Sequence, residues 1–587
     1  MWPFVSNAST IEAKRGERDL ALAAAGIPPV DTTQYLRASV ATEIVARVAA
    51  GEWTSSDVLE AYIARAVFAQ SKTNCLTEVF FDRARERAKV LDEEYAKTGK
   101  LVGPLHGVPV SAKDMFDIEG IDSTIGFSQW SCNPARSNAD IICQLLAAGA
   151  VPFVKTNVSQ AMLSFECSNP LFGRSLSPYD PAFTCGGSSG GEGALLAMNG
   201  SALGVGSDAG GSLRAPAAYC GIYSLKPGMG RVSCNGAKGL VGGVEVSATV
   251  AGPMGRCVED LALFSKATFG KSSSLQDVAP LPFREVQLPP KLKFGYYTSG
   301  KWISLYQEPR TNLVLDGFIK ASPACKRAVL ETIEALRQNG HECVEITLPD
   351  TATACKLYAG MHSSDGFKTL LGPLGRDQKD SSLFKSTLGP RLPSFVRWLA
   401  TWVLDKITGD SIFTGMLHVS RKKSVSEYWS LTQQRDEFIK EWQDQVWDEK
   451  LGLDGIIAPV HAVPQLPHGG CDRFSALAAG TIIYNVLNLP VGCLPVTRVD
   501  PALDSITKEW ESEGNHGSKI WEKGIFYGPG KIYDPEVSQG LPIGVQIVGR
   551  RWEEEKVLAI MSLVDEILGK ERGFGPGARE QLQQATA

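Results

Sequence analysis

The sequence predicts an α/β fold with a substantially buried sheet. Short strands and helices alternate from residue 105 onward: 107–112 is strand-like, 139–148 is an apolar helix, and 151–155 is a strand that follows Gly149. Apolar residues that recur every three to four positions indicate helices, whereas short apolar runs bounded by glycine indicate strands. Strands that alternate with helices form a sheet covered by those helices.

The same two signals place the other elements. The helix at 323–338 is the clearest of the second half, because Ser322 is a suitable N-cap, Pro323 occupies the first helical position and Gly340 lies just past the end. Two stretches, 270–291 and 499–540, are interpreted as excursions, the second over the active site. Further helices are expected at 38–50, 55–68, 77–96 and 553–568, and further strands at 343–348, 453–460 and 543–548.

Composition restricts the class of protein. The chain has 587 residues, 43% of them hydrophobic and 21% charged, which is typical of a soluble globular protein. The formal net charge of −5, without a long basic stripe, argues against a nucleic-acid partner. No secretory segment and no uncharged apolar run of 18 residues occurs, so we expect a cytoplasmic protein or one attached peripherally to intracellular membranes.

The cysteines also indicate an intracellular protein. There are 13 of them, an odd number, scattered along the chain and never spaced C-x-x-C. This pattern argues against a disulfide framework and a structural zinc site, so the cysteines are interpreted as mostly buried, reduced thiols. Cys185 and Cys220 flank the glycine-rich runs described next and are expected to be small packing residues. The oligomeric state stays open, with a homodimer as one option.

Two glycine-rich runs, 185–194 and 204–214, are the most unusual feature of the sequence. Such a density of glycine indicates that backbone closely approaches something or adopts positive φ, so a ligand or reacting atom is expected there. Three interpretations compete. A phosphate cradle matches no known glycine pattern, and a nucleophile elbow fits Gly186-Gly187-Ser188-Ser189-Gly190 but finds no histidine in a recognisable catalytic context.

The third interpretation makes a lysine the base. Lys113 ends an apolar strand-like run, where burial disfavours the ammonium form and lowers its pKa toward neutrality. A neutral buried amine can take a proton from a serine. Lys113, Ser188 and Ser212 would then form a relay in which one serine bridges the lysine and a second, nucleophilic serine.

These residues carry a family resemblance. Lys113, the Gly-Gly-Ser-Ser-Gly-Gly-Glu-Gly run at 186–193 and Gly-Gly-Ser-Leu-Arg at 210–214, followed by Lys226-Pro227, resemble the amidase signature family. The resemblance implies a large mixed central β-sheet sandwiched by α-helices. It divides the chain into an N-terminal helical segment packed on the core (1–100) and an amidase signature domain (101–587).

The resemblance also implies residue roles. Ser212 would be the acylated nucleophile, Ser188 the bridging serine on a cis peptide, and Lys113 the base, with neither metal nor organic cofactor. Ser189 is either a helix N-cap or a direct catalytic contact, while Asp208 and Arg214 are expected to hold the glycine loop. The expected oxyanion hole consists of the backbone N–H groups of Ala209, Gly210, Gly211 and Ser212.

Segments outside the triad indicate the substrate. Residues 156–162 and 167–173 resemble the eukaryotic branch that contains fatty acid amide hydrolase, and Met162, carried over, would contact substrate. Aromatic and aliphatic residues recur at helical spacing among basic ones in 391–423, which is typical of a helix on an anionic membrane surface. Packing on the core is the alternative. With 423–447, this segment resembles the membrane-cap and substrate-access region of that branch.

The expected function is hydrolysis of carboxylic amides, with fatty acid amides such as N-acylethanolamines as the favoured substrates. A fungal-type amidase acting on small aliphatic or aromatic amides is the alternative within the same class. An amidotransferase subunit that supplies ammonia to a partner acting on charged tRNA is a third interpretation, against which the apolar 391–417 segment argues. A catalytically silent binding protein is disfavoured, because every triad position is occupied.

Overall fold

Apolar runs of the chain pair into one large sheet. The computed structural model of the protein describes residues 7–26, 40–239, 244, 249–272, 277–298, 318–514 and 517–576. Its strands are β1 (Leu76–Val79), β2 (Pro109–Lys113), β3 (Val151–Thr156), β4 (Ser168–Asn169), β5 (Gly173–Arg174), β6 (Leu203–Asp208), β7 (Tyr223–Lys226), β8 (Val250–Gly255), β9 (Lys293–Tyr296), β10 (Glu342–Glu345), β11 (Gly455–Pro459), β12 (Val491–Arg498) and β13 (Pro542–Val548).

Eleven of these strands form the central sheet, in the order β1-β3-β2-β6-β8-β7-β12-β13-β11-β9-β10, while β4 and β5 pair separately. Strands β3, β2 and β6 are parallel, as are β11, β9 and β10, whereas the other neighbours are antiparallel. Every residue of β2, β3, β6, β11 and β13 is buried, which requires both faces of the sheet to be covered. The predicted mixed sheet between helices is confirmed.

Helices supply that cover. Those before the second glycine-rich run are α1 (Ala8–Ala23), α2 (Ala41–Ala49), α3 (Ser55–Thr73), α4 (Phe81–Thr98), α5 (Asp140–Ala147) and α6 (Gly190–Ala197). Those in the middle are α7 (Arg214–Cys220), α8 (Val258–Thr268), α9 (Pro323–Gln338), α10 (Thr351–His362), α11 (Lys368–Leu371), α12 (Ser381–Ser386), α13 (Ser394–Thr408), α14 (Ser411–Val419) and α15 (Val425–Gln445). The last are α16 (Cys471–Phe474), α17 (Ala479–Val486), α18 (Pro501–Asp504), α19 (Lys508–Ser512), α20 (Lys519–Phe526) and α21 (Glu554–Leu568).

The sequence predicts the ends of a helix correctly where it contains a capping residue. Helix α9 has the predicted bounds, and Ser322 Oγ accepts a hydrogen bond from Cys325 N at 3.3 Å. The predicted helix at 77–96 is wrong at its start, because residues 76–79 form the edge strand β1 and α4 begins only at Phe81. Asn74, at φ 49°, ends α3 in the left-handed conformation and turns the chain into that strand.

The two excursions differ in structure. Between 270 and 291, the described residues contain neither helix nor strand, whereas 499–540 folds into the short helices α18, α19 and α20. Trp521 of α20 packs with Phe413 of α14, at a ring-centroid distance of 5.2 Å. It also joins an apolar cluster with Ile482 of α17, which lies against Gly210 in the second glycine-rich run. This excursion therefore packs close to the second glycine-rich run.

Two further sequence expectations concern membranes and thiols. Within the described ranges, none of the helices combines the length and the apolar character needed to cross a bilayer. All 13 cysteines are free thiols, and most of them, including Cys185 and Cys220, are buried.

Candidate active site

Lys113 is the last residue of β2 and is fully buried. Its Nζ atom lies 2.7 Å from Ser188 Oγ and 2.8 Å from Ser207 Oγ, within hydrogen-bonding distance of both hydroxyls. Burial lowers the pKa of the lysine to about 7, although the nearby carboxylates of Asp208 and Glu192 act in the opposite direction. Neutral amine is therefore populated near pH 7 and can accept a proton.

Ser188 follows a cis peptide bond, Gly187–Ser188, in the first glycine-rich run and is almost completely buried. A glycine is required at 187, because a Cβ there would lie 2.5 Å from the backbone oxygen of Ser164. The loop before Ser188 is thus pressed against the 160–165 segment. This packing holds the Ser188 hydroxyl against Lys113.

Ser212 lies between β6 and α7 and is buried except for 8% of its surface, whereas Lys113 is fully buried. Among the described residues, its hydroxyl has no hydrogen-bond partner, so the Lys113–Ser188 link is formed while the Ser188–Ser212 link is not. Catalytic hydrogen bonds are often long in the absence of substrate and tighten in the reacting complex. The hydroxyl of the nucleophile candidate is therefore not engaged by the protein.

The turn that carries Ser212 is held by Asp208, the last residue of β6. Its carboxylate accepts hydrogen bonds from Gly211 N at 2.8 Å and Leu213 N at 3.1 Å. The expectation that the Gly211 N–H contributes to an oxyanion hole is therefore corrected, because that donor is already engaged. Ala209, Gly210 and Ser212 keep their N–H groups as candidate oxyanion donors.

Arg214 pairs with Asp208 through two hydrogen bonds of 3.0 Å each, and both side chains are fully buried. Burial raises the pKa of the Asp208 carboxyl, but the Arg214 guanidinium outweighs it and holds that pKa well below its usual range. The pair holds the glycine loop, as expected. Sequence reasoning missed the distant partners of Arg214, which are Thr481 O, Asn485 Oδ1 and Gln546 Oε1 at 2.9, 2.7 and 3.2 Å.

A buried carboxyl lies beneath the first glycine-rich run. Glu192 accepts hydrogen bonds from Ser111 Oγ at 2.6 Å and Thr156 Oγ1 at 2.8 Å, which ties α6 to β2 and β3. Burial raises the pKa of this carboxyl to about 7, against the hydrogen bonds from Ser111 and Thr156 and the charge of Lys113. The sequence signal was available, since Glu192 is the one charged residue within the 185–194 run.

The remaining expected site residues are Ser189 and Met162. Ser189 occupies the N-cap position of α6 but makes no capping hydrogen bond; its hydroxyl donates to Ser207 O at 3.2 Å and accepts from Ser207 N at 3.3 Å. Ser189 therefore lies at the predicted N-cap position, but its hydroxyl fastens the first run to β6 and does not cap the helix. Met162 is half-buried in a turn at φ 57°, and its terminal methyl packs on Gly239.

The nucleophile-elbow alternative needs a histidine beside a serine. No histidine within the described ranges is hydrogen-bonded to Ser188 or Ser212: His461 contacts the Tyr219 hydroxyl at 2.9 Å, and His362 lies against Tyr358. His516 lies outside the described residues. The basic group at the bridging serine is Lys113, which favours the lysine interpretation.

Comparison with known proteins identifies the family to which the chain belongs. The family model Amidase matches residues 57–558, and the chain belongs to that family, the amidase signature enzymes. It is 34% identical to Fatty-acid amide hydrolase 1 of Sus scrofa over 93% of this chain and 88% of that protein, and 31% identical to an acetamidase of Emericella nidulans over 90% and 89%. The protein is an Amidase-family enzyme that hydrolyses amides.

Comparison with solved structures shows the similarity of the fold. A fatty acid amide hydrolase structure superposes with a TM-score of 0.79 at 26% identity, covering 96% of this chain and 95% of that one. A peptide amidase from Stenotrophomonas maltophilia, at 19% identity, superposes with a TM-score of 0.63 over 92% and 98% of the two chains. The second likeness concerns the fold alone.

Proposed function

We propose that this enzyme cleaves amides through an acyl intermediate on Ser212, with Ser188 as proton shuttle and Lys113 as base. The observation that carries the proposal is the buried contact between the Lys113 amine and the Ser188 hydroxyl at 2.7 Å. A lysine with a pKa near 7 is a suitable base at neutral pH. Ser212, 8% exposed in the adjoining turn, supplies the nucleophile.

The proton steps follow from this arrangement. Neutral Lys113 accepts the Ser188 proton while Ser188 accepts that of Ser212, and Ser212 Oγ forms a bond to the amide carbonyl carbon. Negative charge on the carbonyl oxygen is stabilised by the N–H groups of Ala209, Gly210 and Ser212. Ser188 then protonates the leaving nitrogen and regains a proton from the Lys113 ammonium as the C–N bond breaks. Water hydrolyses the acyl-serine with the same relay.

The proposed substrates are fatty acid amides, including N-acylethanolamines, taken up at a lipid surface. Helix α13 supports this, because only Thr401 of its 15 residues is buried. Phe395, Trp398, Trp402 and Ile407 are 67, 56, 51 and 75% exposed, and the rings of the first three stack along the helix. Such an apolar face in water favours docking to a partner or membrane over packing on the core.

Fewer of the basic groups around α13 are available to an anionic surface than the sequence indicated. Arg421 forms an ion pair with Glu427, and Lys423 Nζ donates to Val419 O at 2.6 Å, so both are turned toward the protein. Arg391 and Lys422 are exposed, as is Lys406 in the last turn of α13. The cation set proposed for lipid headgroups is therefore Arg391, Lys406 and Lys422.

A short structural path joins this surface to the reacting residues. Helix α13 packs on α14, α14 packs on α10, and α10 carries Tyr358, which reaches the backbone of Gly210. Docking through α13 would therefore place lipid within two helix layers of Ser212. This proximity supports the proposal of long acyl chains as substrates.

Hydrolysis of small aliphatic or aromatic amides is the second candidate. The acetamidase of Emericella nidulans is almost as similar to this chain as the mammalian fatty-acid amide hydrolase. Such an enzyme would need no lipid surface. The two candidates differ in their dependence on acyl chain length and on membranes.

A series of straight-chain primary amides, from acetamide to oleamide, tests the substrate class. We expect kcat/KM to rise at least about tenfold along the series and to increase further with anionic liposomes, because burial of each methylene contributes about 0.8 kcal/mol. Replacing two exposed aromatic residues, in the variant Trp398→Ser/Trp402→Ser, is expected to abolish the liposome effect and liposome co-sedimentation while sparing a short soluble amide.

The matched control is Leu503→Ser/Val537→Ser, which removes two other exposed apolar side chains and should behave as wild type. Rates that are highest for acetamide or an aromatic amide and ignore liposomes would instead establish the small-amide candidate. Equal loss of the liposome effect in both double variants would contradict a specific role of α13.

A further inference from the structure

We propose that the Tyr358 hydroxyl contacts the substrate and donates a hydrogen bond to the reacting carbonyl oxygen, beside the backbone N–H groups of the Ser212 turn. This inference rests on the proposed function, because it assumes acylation of Ser212. Nothing in the glycine-rich motifs predicts such a group, since Tyr358 lies on α10, far away in sequence.

The position of the hydroxyl is the first observation. Tyr358 Oη lies 2.9 Å and Cζ lies 3.4 Å from the point where a Cβ on Gly210 would be, so the phenol is packed directly against that residue. Gly210 supplies one of the three N–H groups that remain as oxyanion donors. Its carbonyl accepts a hydrogen bond from Thr481 Oγ1 at 2.6 Å, which fixes the turn next to the phenol.

The hydroxyl also lacks a protein partner. Within the described part of the chain, Tyr358 Oη makes no hydrogen bond, and its side chain is half-buried. A tyrosine hydroxyl that has no protein partner beside a reacting centre is available to hydrogen-bond a ligand. Burial raises the pKa of the phenol above its usual range, which keeps it protonated, and therefore a donor, throughout neutral pH.

The ring is held in place by its neighbour on the helix. His362, one turn further along α10, lies with its ring centroid 4.1 Å from that of Tyr358. Burial lowers the pKa of His362 to about 4, so this ring is neutral at pH 7. A neutral imidazole against the ring brings no positive charge that would compete for the oxyanion. Tyr358 is therefore a fixed, protonated donor, as electrostatic preorganisation requires.

The test is Tyr358→Phe, which removes the hydroxyl and keeps the ring. Loss of one oxyanion donor typically lowers kcat by about 100- to 1,000-fold. We expect kcat to fall by about 100-fold with KM changed less than about threefold, because the bond strengthens as charge develops. A trifluoromethyl ketone, which forms a tetrahedral adduct with a serine, should bind more weakly by a similar factor, an effect that a purely structural role would not produce.

Tyr533→Phe is the matched control, because it removes another buried tyrosine hydroxyl, which donates to Asp504 O at 2.6 Å, outside the site. It should leave kcat, KM and ketone binding unchanged. Labelling of Ser212 by a fluorophosphonate, located by peptide mass spectrometry, tests the proposed function separately. If the wild-type enzyme is labelled at Ser212 but the kcat of Tyr358→Phe stays within threefold of the wild-type value, only the tyrosine proposal is overturned. If the wild-type enzyme is never labelled at Ser212, the proposed function is overturned.

Discussion

Replacing Ser212 with alanine is expected to lower the rate of amide hydrolysis by about 10⁴- to 10⁶-fold, the range seen when a serine nucleophile is removed. The hydroxyl at this position is the one reacting group that the proposed mechanism cannot replace, because it forms the bond to the carbonyl carbon. The residual rate would come from the oxyanion donors and from binding. Product formation by liquid chromatography, followed over hours at high enzyme concentration, measures it.

A second serine variant controls for disturbance of the fold. Ser265→Ala removes a fully buried serine hydroxyl that donates to Leu261 O at 2.8 Å on α8, away from the site. It should retain the wild-type rate, and both variants should unfold within a few degrees of the wild-type Tm. A Ser212→Ala enzyme with more than about 1% of wild-type kcat would contradict assignment of the nucleophile.

The second large effect concerns Lys113 and pH. Since burial lowers the pKa of this lysine to about 7, the ammonium form dominates below pH 7 and cannot accept a proton, whereas the neutral amine dominates above it. The wild-type kcat/KM should therefore rise with pH and level off above about pH 8. Lys113→Met should lose about 10³-fold or more at pH 7, and its remaining rate should keep increasing with hydroxide concentration.

Glu192 provides the control for this assignment, since burial also raises the pKa of its carboxyl to about 7. Two interacting groups titrate as a pair, so the wild-type profile by itself does not identify the lysine. Glu192→Gln should retain the rising limb, shifted by less than about one pH unit. A limb that survives in Lys113→Met but disappears in Glu192→Gln would make the carboxylate, and not the lysine, the essential base.

The fold was predictable where local chemistry determines an element. Ser322 and Pro323 define the start of α9, and the observed bounds match the predicted ones. Strand β6 was missed, because Gly204 and Gly206 hide its pattern. A Cβ on Gly204 would lie 2.2 Å from Glu192 Oε2, and one on Gly206 would lie 2.7 Å from a Leu213 methyl, so tertiary packing sets the composition of this strand.

In the candidate site, too, local motifs predicted some residues, whereas others depend on tertiary packing. The glycine motifs predicted Lys113, Ser188 and Ser212 as one site, and the structure brings Lys113 to Ser188. Ser207, the second hydroxyl at the lysine amine, lies in the second glycine-rich run but was given no role, because the strand that positions it was missed. The supports of Arg214 come from elements more than 260 residues further along the chain, and no local pattern indicates them: Thr481, Asn485 and Gln546.

The periodicity of apolar residues in α13 does not determine whether the helix packs on the core or lies on a membrane surface. Phe395, Trp398 and Trp402 recur at the spacing of a helix packed on a core and equally at that of a helix lying on a membrane surface. The two interpretations differ in what covers the apolar face. The exposure of these side chains argues against packing on the core, since the helix buries only Thr401.

The most direct test of the central claim is to locate the acyl group during turnover. Wild-type enzyme mixed with a long-chain p-nitrophenyl ester, quenched in acid and digested with pepsin, should carry the acyl mass on the peptide that contains Ser212, and Ser212→Ala should carry none. Fragmentation that places the acyl group on Ser188, or on a cysteine such as Cys167, would contradict the account. So would continued turnover of the ester with no covalent adduct at any time point.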